Sequence, residues 1–176
     1  MERYAEGDDA AFLELARGLS PRLHAFLVRL SGSRDVADDL TQETLLRIHR
    51  ARGSFARGSA VVPWAYAIAR NGFVSHARAK KTRFSRNTVD VTEIEVATGP
   101  DASAEAALAA QQSARIVSQT LAAMPVGNRE AFVLIRYEGM SVATAAQLVG
   151  ISEGALKLRA FRAYEMLRAA LKEPAS

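Results

Sequence analysis

The sequence predicts an all-α fold of two small helical domains, and three observations carry that prediction. Apolar residues recur at helical intervals along most of the chain, glycine, proline and serine fall between those runs, and one acidic stretch without sustained periodicity divides them. With 176 residues, 49% of them hydrophobic, the chain holds enough apolar material for a real core and suits one ordinary domain or two small ones. The dividing stretch, TVDVTEIEVATGPDASAEAALAAQ, mixes Thr, Gly-Pro, Ser and Ala and lacks a helical period until about Glu105. The expected units are therefore residues 1–86, an acidic linker over 87–111, and residues 112–176.

The opening run from Gly7 to Leu30 spaces Ala11, Phe12, Leu15, Leu19, Leu23, Phe26, Leu27 and Leu30 at helical intervals. Gly18 and Pro21 are expected to interrupt it, giving two packed segments. A second helix runs from Ser33 or Arg34 to Arg52, with Val36, Leu40, Ile48 and Ala51 as its inward seam. Asp39, Gln42 and Leu46 share its outer face, with Glu43 beside them. That face is either a solvated surface with one stray leucine or a docking face for a basic protein surface. In the loop GSFARGSAVV, Gly53 and Gly58 punctuate the chain. Pro63 then suits the first turn of a third helix through Trp64, Ile68, Phe73 and Ala77.

The carboxy-terminal unit carries a sharper pattern. Val142, Ala145, Ala146 and Val149 keep helical spacing, Gly150 permits the backbone conformation that ends a helix, and Ser152 can cap the next one. In that next helix Leu156, Ala160, Ala163 and Leu167 form a narrow inward seam. Gly154, Lys157, Leu158, Phe161 and Arg162 are left on the opposite side, with Arg159 on the flank. Two helices meeting at a tight corner with a basic outward face form a helix-turn-helix whose second helix fits the major groove of DNA. The plainer alternative is a helical hairpin with a solvated basic face.

Charge is distributed in blocks around a net of +4. Residues 1–43 hold nine acidic residues against five arginines, whereas no Asp or Glu occurs from Thr44 to Val89, where ten Lys and Arg fall. A polyanion is the natural partner of that basic segment. Within it Trp64, Tyr66 and Phe73 interleave with Arg70, Asn71, Arg78, Lys80 and Lys81, a combination that can stack on unpaired bases while gripping the backbone. For Tyr66 and Phe73 a place in the core is an equal reading.

Other classes lose ground on composition. There is no cysteine, which removes disulfides, thiolate metal sites and a cysteine nucleophile. His24, His49 and His76 are scattered without metal-ligand spacing. No nucleophile and base pair, phosphate loop or metal cluster appears, so no catalytic residue, metal, cofactor or small-molecule substrate is expected. No apolar run approaches bilayer length and the amino terminus is acidic, so a cytoplasmic protein without membrane insertion is expected.

The runs DDLTQETLLRIHRAR (38–52) and WAYAIARNGFVSHARAKKTR (64–83) resemble conserved region 2 of extracytoplasmic-function (ECF) sigma factors of bacterial RNA polymerase, of the sigma-70 family. MPVGNREAFVLIRYEGMSVATAAQLVGISEGALKLRAFRAYEMLRAAL (124–171) resembles their region 4. The resemblance implies a non-enzymatic factor that binds core polymerase, directs it to promoters, often in a stress response, and assists melting. By that resemblance, Asp39, Gln42, Glu43 and Leu46 belong to the surface for the β′ clamp helices. Trp64, Asn71 and the loop from Phe55, with Arg78, Lys80 and Lys81, match the segment for the −10 element. Lys157, Leu158, Arg159 and Arg162 match the −35 positions. The β flap, promoter DNA and an anti-sigma factor are the further partners implied. The chain departs from the family pattern at Ala65 and Ala67, so that helix is expected to pack more loosely, and at Leu158, where a small polar residue is usual. A stand-alone helix-turn-helix regulator, dimeric on palindromic sites, is the rival function.

Overall fold

The computed structural model describes residue 4 and residues 9–56, 58–83 and 104–172, and every regular element among them is helical. The first helix, α1 (Asp9–Ser31), is continuous through Pro21, where the sequence predicted an interruption. Proline removes one backbone hydrogen bond and ordinarily breaks a helix. Here Pro21 and the preceding-turn residue Arg17 lie on the exposed side, where water can satisfy the freed carbonyl. Leu19, Leu23, Phe26, Leu27 and Leu30 are buried on the other side and hold the rod together through tertiary packing.

Helix α2 (Arg34–Arg50) begins where the Ser33 hydroxyl accepts the Val36 amide at 3.4 Å, and carries Arg47, His49 and Arg50 in its last turn, where the helix dipole favours cations. Leu40 and Ile48 are buried as predicted, together with Ala37, Thr41 and Thr44. The two threonine hydroxyls donate to the Ala37 and Leu40 carbonyls at 2.6 Å each, so they enter the interior without an unmet hydrogen bond. After a short 3₁₀ turn (Arg52–Ser54), α3 (Val61–Arg83) completes the amino-terminal lobe. Ala65 and Ala69 are fully inside, and their small size places the α3 backbone close to its neighbours.

The second lobe starts with α4 (Ala104–Ala123), which begins inside the segment read as linker. Its AEAALAAQ opening is made almost entirely of strong helix formers, and that propensity outweighed the missing apolar period. The rest of the acidic stretch, 84–103, lies outside the described residues. Helix α5 (Val126–Phe132) widens into a π turn (Val133–Tyr137), followed by α6 (Val142–Val149) and α7 (Glu153–Lys172).

One apolar cluster runs through both lobes, from Phe26, Leu30, Leu40 and Tyr66 to Leu134, Ala145, Val149 and Leu156. A smaller one, Leu121, Met124, Phe132, Ala163 and Leu167, seats α4 and α5 on α7. Polar contacts accompany the shared core. Arg70 donates from Nε to Glu130 at 2.5 Å, and the Tyr66 hydroxyl donates to the Glu138 carboxylate. Arg29 lies 3.7 Å from Glu138 and 4.2 Å over the Tyr137 ring. Burial, then the hydrogen bond and charge of Glu138, push the Tyr66 pKa up. Within the second lobe Arg129 donates to the Leu121 carbonyl at 3.2 Å, closing the end of α4, and burial lowers its pKa.

Candidate nucleic-acid and polymerase interface

The corner between α6 and α7 forms as its residues dictate. The Ser141 hydroxyl accepts the Thr144 amide at 3.1 Å to start α6, Gly150 ends it at φ 77°, and the Ser152 hydroxyl accepts the Ala155 amide at 3.2 Å to start α7. Any side chain at 150 would strain that left-handed backbone. Leu156, Ala160, Ala163 and Leu167 are all buried, as their spacing predicted. Lys157, Leu158, Phe161 and Arg162 are exposed together on the outward face, with open space over Gly154. Arg159 departs from this group. Its guanidinium folds back against the start of α5, where a side chain on Gly127 would come within 3.2 Å of Nη1.

In the amino-terminal lobe the structure separates residues that the sequence had grouped. Tyr66 and Phe73 are core. Phe55 is buried as well, and its ring packs edge-on to Trp64 at 5.1 Å, so it braces the indole from beneath. Trp64 is half-buried, while Asn71 and Arg78 are exposed further along α3. The side chains of Lys80 and Lys81 lie outside the described residues.

On α2, Asp39, Gln42, Glu43 and Leu46 are exposed in one stripe, Leu46 at 56%. Glu43 accepts from Arg47 at 2.7 Å, and Asp38 is engaged by His24 of α1 at 2.9 Å. Beside the stripe an apolar hollow is lined by Phe12, Gln42, Leu45, Leu46 and His49, so Phe12 of α1 extends the face beyond the helix that marked it. A second groove, unforeseen from the sequence, opens on the other lobe between α4, α5 and α7. Val117, Phe132, Tyr137, Tyr164, Leu167 and Leu171 line it, with Arg136, Arg168 and Lys172 at its rim. A signal was present in Tyr164 and Leu171, which lie off the inward seam of α7. Among the described residues no group of three or more His, Cys, Asp or Glu could hold a metal, and no helix is long and apolar enough to cross a membrane.

An acidic helix face, a basic segment with a propped indole, and a helix-turn-helix with a basic outward face thus lie in one helical chain. Sequence profiles agree: residues 15–83 match sigma-70 region 2 and residues 114–167 match sigma-70 region 4. The chain is 36% identical over 173 residues to the RNA polymerase sigma factor CarQ of Myxococcus xanthus, covering 98% of this chain and 96% of that one. It is 33% identical to the ECF sigma factor SigF of Caulobacter vibrioides, covering 95% and 89% respectively. The sigma factor RpoE of Bartonella quintana, solved in complex with the anti-sigma factor NepR, superposes with a TM-score of 0.74 at 28% identity, over 94% of this chain and 99% of that one. CnrH, solved with the cytosolic domain of CnrY, shares the fold at a TM-score of 0.72 and 24% identity, over 99% and 96%.

The chain belongs to the ECF sigma factors of the sigma-70 family. It is a transcription initiation factor that binds core RNA polymerase, directs it to promoters and assists their melting, and the stand-alone regulator is not favoured. Members of this family are in general non-enzymatic.

Proposed function

We propose that the two lobes divide this work by surface, residues 1–86 holding the core-binding and −10 surfaces and residues 112–176 the −35 surface. The observation that carries the assignment is the pairing of two exposed helix faces of opposite charge, acidic with Leu46 on α2 and basic with Leu158 on α7. Asp39, Gln42, Glu43 and Leu46, with the hollow around Phe12, dock the β′ clamp helices. Charges at the rim steer encounter and the apolar centre supplies affinity. The rimmed groove on the second lobe suits an apolar helix with acidic neighbours and is the seat of the β flap.

Trp64, braced by Phe55, stacks on a base of the melted −10 strand, and Asn71, Arg78, Lys80 and Lys81 hold the strand around it. Opening the duplex is costly, so capture of an extruded base traps the open state. Lys157 and Arg162 reach the major groove at −35, with Leu158 beside them and Arg159 at the edge of the contact. The chain itself makes and breaks no bond; the polymerase performs nucleotidyl transfer, and the factor works in the cytoplasm. An anti-sigma partner, of the kind seen with RpoE of Bartonella quintana, silences the protein by covering the α2 face or α7.

Core binding is the direct test. An Asp39/Gln42/Glu43 triple alanine variant should lose at least tenfold in affinity for core polymerase while its helical circular dichroism and melting temperature stay unchanged. A folded variant that competes for core as well as the parent protein would remove the α2 face from the assignment.

A further inference from the structure

We propose that Leu158, with Phe161 beside it, reads thymine methyl groups in the major groove and is a specificity-determining residue of the −35 contact. The proposal rests on assigning α7 to that element. Over the first turns of α7 the seam is buried and Arg159 is turned onto α5, so Lys157, Leu158, Phe161 and Arg162 form the outward face. Leu158 is 50% exposed and Phe161 61%, and at a spacing of three they are surface neighbours. The flanking cations select a polyanion as occupant. A strip that can neither donate nor accept a hydrogen bond then has one complement among base edges in the major groove, the C5-methyl of thymine.

The test uses holoenzyme assembled from core polymerase and the full chain, on a promoter selected by that holoenzyme from a library randomised at −35. Selected thymines are replaced singly by deoxyuridine, which deletes only the methyl group. At one or two positions affinity should fall about three- to fivefold, the transfer value of one methyl. Holoenzyme carrying Leu158→Ser should be indifferent to the same replacement. Absence of selected thymine, no effect of uridine at any position, or a Leu158→Ser variant still sensitive to uridine would each overturn the proposal. Promoter binding by holoenzyme carrying Lys157→Ala with Arg162→Ala is followed separately: unchanged affinity there shows that the underlying assignment of α7 has failed instead.

Discussion

Helices α2 and α7 solve the same packing problem and expose opposite chemistry. Each buries one seam, α2 in the core that joins the lobes and α7 partly there through Leu156 and Ala160 and partly in the smaller cluster through Ala163 and Leu167, and each leaves a leucine among charged neighbours outside: Leu46 beside Asp39 and Glu43, Leu158 beside Lys157 and Arg162. The inward seams decide whether the protein folds, and the outward faces decide what it meets. On the assignment proposed above, the sign of the charge around each leucine suits a basic protein surface for one and nucleic acid for the other.

The contrast between inside and outside is sharpest within α7. Leu156→Ala, at a fully buried position, should destabilise the chain by about 2–5 kcal/mol in denaturant unfolding, whereas Leu158→Ala should stay within about 0.5 kcal/mol. Equal losses at the two positions would break the division into seam and face. The next largest effect is expected outside: Arg162→Ala should cost the holoenzyme about 1–3 kcal/mol in promoter binding if the guanidinium contacts a base bidentately, without a change in melting temperature. Promoter selection and affinity identical to the parent would take Arg162 out of the readout. The smallest effect belongs to the corner between α6 and α7. Ser152→Ala removes the hydroxyl that accepts the Ala155 amide and should lower stability by about 1 kcal/mol; a thermal scan that shows no shift would assign the start of α7 to packing alone.

The corner and the seam of α7 were legible in the sequence because each rests on local rules, the capping serines, the left-handed glycine and the helical period of small and large apolar residues. On α2 Leu40 and Ile48 were read correctly, but Val36 is only partly buried, Ala51 lies past the helix as its cap, and the buried Thr41 and Thr44 were missed because their hydroxyls bond back to the helix's own carbonyls. Pro21 misled because its cost is local while the burial of Leu19, Leu23 and Leu27 that outweighs it is tertiary. The segment before Gln111 misled in the other direction, where alanine propensity acts without an apolar stripe. The site was half legible. Periodicity found the outward faces of α2 and α7, but it could not show Phe55 beneath Trp64, Arg159 laid on α5, or Phe12 joining the α2 face, since each depends on a residue distant in sequence or on a rotamer.

Arg129 and Glu130 are neighbours in the sequence that pull in opposite directions. Arg129 holds the last carbonyls of α4, while Glu130 reaches across to Arg70 of α3. Helix α5 thereby carries, on two adjacent residues, a contact within its own lobe and a contact to the other, so whatever disturbs the seating of α4 on α5 is felt one residue away from the ion pair between the lobes.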